Sequence, residues 1–183
     1  MREADQRIGQ FTREHRPRID NFVVCDFRLV DACLGWIDQQ GLACGQRLCE
    51  WGSGFGVVAL LAALRGWEAY GIEVEPALVQ QAESLSEDLG IEARFATGSF
   101  IPTGGEDLLE FAEDIDHIDT DCPSGYEELE MAIEDFDLCF AFPWPGEHRY
   151  WEAVFDHYAS EGALLLTYHG VESLNLQRKR DSS

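Results

Sequence analysis

The chain is poor in positive charge: 13 Lys and Arg stand against 35 Asp and Glu, for a net charge of −22. A surface so acidic repels phosphates and anionic headgroups, which argues against nucleic acid and membranes as default partners. No apolar run approaches the roughly 18 residues that a spanning helix needs. The first twenty residues, rich in Arg and Asp, lack the apolar core of a secretion signal. The six cysteines (25, 33, 44, 49, 122 and 139) are scattered with no Cys-x-x-Cys pair. They therefore predict neither a disulfide frame nor a zinc site, but reduced thiols in a cytoplasmic protein. A Ser nucleophile elbow and a P-loop lysine are also missing. The acidic run 116–121 lacks the Gly and terminal Glu of a calcium loop, so no metal is expected.

What is present is a folding sequence. With 183 residues, 45% of them apolar, the chain fits one domain with a real core. Its negative charge is concentrated: residues 104–137 hold 14 acidic side chains and no Lys or Arg. We expect an acidic insertion over 103–136, read first as a solvated, solubilising segment and second as a docking surface for a basic partner. Residues 1–20 are expected to form an arm or short helix.

The pattern of apolar residues alternates strand with helix. A helix over 26–39 with Asp26 as its cap is followed by a strand at 47–50, a Gly-rich turn and a helix over 57–64. A strand at 68–72, a helix over 77–89 introduced by Pro76 and closed by Gly90, and a strand at 92–97 come next. The insertion is expected to hold helices near 106–115 and 126–133. A strand at 137–142, a helix over 150–158 and a strand at 163–168 complete the alternation. The order predicts an α/β fold with a mostly parallel sheet covered by helices on both faces. After His169 too little chain is left for the usual ending of such a sheet. Residues 174–178 are expected to return as one antiparallel edge strand protected by Arg178, Lys179 and Arg180.

The Gly-rich turn carries the chemistry. Glycine lets a ligand approach the backbone closely, although such a turn alone is a weak motif. A dinucleotide fingerprint would place glycine at 52, 54 and 57, but position 57 is Val. Here the glycines fall at 52, 54 and 56 in Glu50-Trp51-Gly52-Ser53-Gly54-Phe55-Gly56. This pattern resembles motif I of the class I S-adenosylmethionine-dependent methyltransferases. Gly71-Ile72-Glu73-Val74-Glu75-Pro76 is similar to motif II of the same family, and Glu73 lies 23 residues beyond Glu50, as one strand–helix–strand unit requires. The resemblance implies a Rossmann-like fold and S-adenosylmethionine as cofactor. It assigns Glu73 to the ribose hydroxyls, with Val74 beside it. It sets Gly52, Ser53, Gly54, Phe55 and Gly56 against the methionine part, and has Glu50 either orient the loop or meet the cofactor's amino group. After the third strand, Ser99 either bonds the adenine or serves only the turn, and Phe100 or Ile101 packs on the ring.

The acceptor half is less legible. Where related methyltransferases acting on amino groups show Asn/Asp-Pro-Pro-Tyr, this chain has Phe142-Pro143-Trp144-Pro145. Phenylalanine cannot hold a target nitrogen, so that role is not carried over. Phe142 and Trp144 instead offer an aromatic mouth suited to a cation, or simply a packed turn; Phe140 reads as core. Glu147, His148, Tyr168 and His169 fall near the ends of adjacent strands and so share one crevice. His169 and His148 are candidates for a general base toward a hydroxyl or ammonium acceptor, against the alternative of structural histidines. Residues 21–30 resemble the lead-in helix of some seven-strand-type protein lysine methyltransferases, with Asp26 and Phe27 bordering the pocket or acting as cap and core. An acidic rim would attract a cationic acceptor. The expected function is methyl transfer to a small-molecule or protein acceptor. The alternative is a non-catalytic module that keeps the fold and serves binding. A nicotinamide oxidoreductase ranks third because of Val57.

Overall fold

Along β1 (Arg47–Trp51), Leu48 and Cys49 are both fully buried. They belong to different apolar clusters. Successive side chains of a strand point to opposite faces, so this strand is covered on both sides. The computed structural model describes residues 2–15, 25–105, 108, 122–169 and 173–180.

Around β1 lie β2 (Glu68–Glu73), β3 (Arg94–Thr97), β4 (Leu138–Ala141), β5 (Leu164–Tyr168) and β6 (Leu174–Arg178), in the order β3-β2-β1-β4-β5-β6. Strands β1 to β5 are parallel. The centre of the sheet sets Leu48 against Leu138 and Trp51 against Ala141. Strand β6 runs antiparallel to β5, with Leu166 opposite Leu176 and Leu164 opposite Arg178. This is the returning antiparallel edge strand expected over 174–178. Arg178 donates to the carbonyls of Gly162 and Leu42, fastening that edge.

One face is covered by α1 (Arg2–His15), α2 (Phe27–Gln40), α3 (Val57–Leu64) and α4 (Pro76–Leu89), whose apolar stripes share a cluster with Leu48, Phe140 and Leu166. Asp26 caps α2 by accepting the Arg28 and Leu29 amides at 2.9 and 3.2 Å, and Gly41 in the left-handed region ends it. The other face carries α5 (Gly125–Leu129) and α6 (His148–Tyr158), packed on Cys49, Trp51, Ile72 and Leu165.

Of the two readings of the N-terminal segment, arm or short helix, the helix holds: it is α1, with Ala4, Ile8 and Phe11 at i, i+4 and i+7 buried against the body and Arg7 paired with Asp88 of α4. One expectation changes. The helix expected over 126–133 stops at Leu129, because Glu130 turns into the left-handed region, and a 3-10 turn Ile133–Asp135 follows. The helix expected near 106–115 and the acidic run 116–121 lie outside the described residues, apart from residue 108. The apolar triplet 22–24 lies outside them too.

Candidate cofactor and acceptor site

Because β1, β2, β4 and β5 run in one direction, Trp51, Glu73, Ala141 and Tyr168 end at the same edge of the sheet. In an open parallel sheet this carboxyl edge, where the strand order reverses, is where ligands bind. Here β1 stands between β2 and β4, so the Gly-rich turn leaves the sheet at the reversal. The groove lined by Gly45, Arg47, Glu68 and Asp137 is at the opposite edge.

The turn is built from backbone hydrogen bonds. Ser53 donates to the Ile72 carbonyl at 3.0 Å and Gly56 to the Ser53 carbonyl at 2.7 Å. Gly52, Gly54 and Gly56 all take positive φ, at 64°, 53° and 66°, which L side chains disfavour. Their surroundings differ. A Cβ at Gly56 would stand 2.3 Å from the Phe95 ring, whereas one at Gly52 would meet only the Trp151 ring at 3.9 Å. Gly56 is therefore glycine for packing, and Gly52 leaves an open approach to the backbone.

Two buried carboxyls brace the turn. Glu50 accepts the Ala59 amide at 2.9 Å and a second bond from Val58, capping α3, whose cap residue Gly56 has no side chain to do so. Burial pushes its carboxyl up to about 8, against the pull of those amides. Of its two expected roles, orienting the loop is the one its hydrogen bonds serve. Glu73, at the end of β2, accepts the Gly54 amide at 2.9 Å through Oε2 and the Glu75 amide at 3.0 Å through Oε1. Burial raises its pKa while these amides lower it. With the Val74 amide as a third donor, the carboxylate keeps an acceptor position for an added hydroxyl. Next to it Val74 is a hydrophobe left 40% exposed, a platform for a flat apolar ring. The open side of Gly52, the buried acceptor Glu73 and exposed Val74 fit the demands of S-adenosylmethionine.

Other predicted contacts fall behind this surface. Phe55 is buried edge-on against Phe11 of α1 at 5.4 Å, so only its backbone belongs to the turn. Ser53 is buried with its side chain on Gly71, where a Cβ would meet Oγ at 2.8 Å. Ser99 is buried, and its Oγ accepts the Ile101 amide at 3.2 Å, which serves the turn. Phe100 stacks between Trp151 (4.0 Å) and Trp51 (5.1 Å) on the α6 face. Asp26 is occupied as a helix cap and Phe27 lies in the core.

The acceptor candidates divide between the two faces of the sheet. Tyr168 packs edge-on against Phe142 at 4.7 Å on the α2 face. His148 and His169 come together on the other, with ring centroids 4.2 Å apart, and Thr167 Oγ1 is 2.8 Å from His169 Nε2. Burial, then His169, lowers the pKa of His148, with Glu152 opposing. Buried Glu147 braces the Pro-rich turn: its Oε2 accepts the Trp144 amide at 3.0 Å and the Trp151 indole N–H at 3.2 Å. Trp151 and Thr167 were missed from sequence. Thr167 stands two positions before His169, so strand periodicity already set them on one face.

No family model matches the chain. A ribosomal protein L11 methyltransferase of Thermus thermophilus is 35% identical over 68 residues, 36% of this chain and 27% of the relative. The matched stretch thus spans about a quarter of the curated relatives' length. Among solved structures, an RNA methyltransferase of Salinibacter ruber in complex with S-adenosylhomocysteine has a TM-score of 0.56 at 19% identity, covering 79% of this chain and 76% of its own. A methyltransferase of Thiobacillus denitrificans with the same ligand has a TM-score of 0.52 at 16% identity, covering 81% and 52%. These names include a ribosomal protein and RNA, so they lend no support to the exclusion of nucleic acid drawn from charge. By its sheet order, its helices on both faces and these likenesses, the chain has the fold of the class I S-adenosylmethionine-dependent methyltransferases.

Proposed function

We propose that this chain transfers a methyl group from S-adenosylmethionine to a small-molecule or protein acceptor. The observation that carries this is Glu73, buried at the end of β2 and hydrogen-bonded to Gly54 in a turn whose Gly52 is open to a ligand. Glu73 would hold the ribose, Val74 the adenine, and the backbone of Gly52, Ser53 and Gly54 the methionine part. Glu50 keeps the turn in shape through α3. Phe55, Ser99 and Phe100 act from behind, holding the walls.

When bound, S-adenosylmethionine supplies a methyl group already activated on a sulfonium sulfur. The protein has to align an acceptor with it and exclude water. Phe142, Trp144 and the histidine pair stand where the acceptor would enter. The −22 charge favours a cationic acceptor over a nucleic acid. The six free cysteines suit the reducing cytoplasm, where we place the protein. Among the described residues no helix is long and apolar enough to cross a membrane.

Calorimetric titration of the full chain with S-adenosylmethionine, S-adenosylhomocysteine and NAD tests the cofactor. Binding of the first two is expected; binding of NAD alone would overturn the reading. Phe142, standing where a nitrogen-holding side chain would serve, favours a second reading, a binding module without turnover. Tight cofactor binding with no labelled product from any acceptor pool would favour that one.

A further inference from the structure

The acceptor side of the crevice holds a cluster that cofactor binding does not use. His148 begins α6 and His169 follows β5, and the two rings lie 4.2 Å apart at 32°. Thr167 is buried, and its hydroxyl 2.8 Å from Nε2 fixes the His169 ring. That leaves Nδ1 as the nitrogen of His169 available for proton exchange. Nε2 of His148 is buried with no hydrogen-bond partner among the described residues. Two imidazoles so close resist carrying two charges. Among the described residues the charged groups nearest along the chain are Glu147, Arg149 and Glu152, all on the α6 side; β5 and β6 contribute neutral Thr167 and Gln177, and Gln177 holds Glu152. Burial and the facing ring outweigh Glu152 and keep His148 below the usual histidine range. At neutral pH His148 is thus held uncharged beside the His169 ring.

We propose that His169, with His148 stacked on it, takes the proton released by the methyl acceptor. This rests on the methyltransferase reading above. An ammonium acceptor first gives a proton to the imidazole, which frees the nitrogen lone pair, whereas a hydroxyl gives its proton as the oxygen attacks. As the acceptor atom forms its bond to the methyl carbon, sulfur keeps the electron pair of the bond it loses, and the imidazole passes the proton to solvent. The acceptor therefore belongs to the class whose nucleophilic nitrogen or oxygen bears a proton at neutral pH, an ammonium or a hydroxyl. A thioether or a ring nitrogen with a bare lone pair would have no use for the pair.

The full chain is titrated between about pH 5 and about pH 9 with its histidine ring nitrogens followed by NMR, alone and saturated with S-adenosylhomocysteine. His169→Gln is expected to raise the His148 midpoint, since it removes the facing charge. An unchanged midpoint overturns the coupling. Transfer of labelled methyl from S-adenosylmethionine into a cell extract then reads the chemistry. His169→Gln is expected to slow it about 100-fold with S-adenosylhomocysteine affinity unchanged, and the wild-type rate to fall as pH drops through the His148 midpoint. His148→Gln, expected to slow transfer less, serves where His169→Gln fails to fold. Undiminished transfer by both variants overturns the proposal. So does an extract that takes no label from a wild type that binds S-adenosylhomocysteine. Failure of the wild type to bind that ligand at all is a distinct result and removes the methyltransferase reading itself.

Discussion

Glu73 and Gly54 are joined by a hydrogen bond of 2.9 Å that ties the end of β2 to the middle of the Gly-rich turn. Glu73→Ala removes the acceptor for the ribose and leaves the Gly54 and Glu75 amides without their partner. Hydrogen bonds to a charged group are worth about 1.5–3 kcal/mol each. The variant should bind S-adenosylhomocysteine at least about 30-fold more weakly by calorimetry, and should lose about 1–3 kcal/mol of stability in urea. An affinity within twofold of wild type (roughly 0.4 kcal/mol) would reject the ribose assignment.

Gly52 and Gly56 have nearly the same φ, 64° and 66°, yet they should fail differently. Gly56→Ala drives a methyl into the Phe95 ring and should cost about 3 kcal/mol or more in unfolding free energy. Gly52→Ala pays mainly the left-handed strain, about 1–2 kcal/mol, but puts a methyl on the open side of the turn. It should stay folded and lose cofactor binding. Equal destabilisation of the two variants would contradict the division of packing from ligand approach.

The elements themselves were legible in the sequence because their signals are local. The apolar run 57–64 became α3 with those bounds, and Leu174–Arg178 became the antiparallel edge. The place of Glu73 at the end of β2 was readable as well, since a strand end before Pro76 is a local feature. Which face a side chain takes once several elements meet was not legible. Phe55 sits in the turn by sequence, but α1 brings Phe11 onto it from far away. Phe100 follows the third strand as an adenine wall would, yet Trp51 and Trp151 draw it to the α6 face. Glu147 reads as an exposed acid after a proline turn and is buried, because the Trp151 indole one helical turn on needs an acceptor.

Glu50 predicts a pH dependence with a definite sign. Its carboxyl is raised from 4.5 to about 8 in the folded chain, chiefly by burial. The native state holds a proton that the unfolded chain releases above its own pKa. The stability this contributes is complete below about pH 4.5 and is lost as pH rises through about 8. Between these limits wild type should lose a few kcal/mol relative to Glu50→Gln, whose side chain cannot titrate. Urea midpoints for both proteins across that range measure it; parallel curves would show that Glu50 does not hold the proton.

Glu147→Ala should strand the Trp151 indole N–H and the Trp144 amide, costing about 1–3 kcal/mol. Trp151→Phe removes the indole donor, so the double variant should cost less than the two changes added. A coupling of about 0.5 kcal/mol or more is expected from the four-protein cycle in urea. Strict additivity would mean that the carboxylate does not act through the indole.

The pairing of Leu48 with Leu138 has a kinetic consequence. The neighbouring contact between Arg47 and Asp137 already spans 90 positions. The middle of the sheet can therefore zip only after a long closure, and the stretch being closed contains the 14 acidic side chains of 104–137. Like charges gathered into one loop oppose that closure until counterions screen them. Refolding should therefore quicken with added salt more than the edge hairpin of β5 and β6 alone would require, so ionic strength acts as a control on how fast the chain acquires its native form.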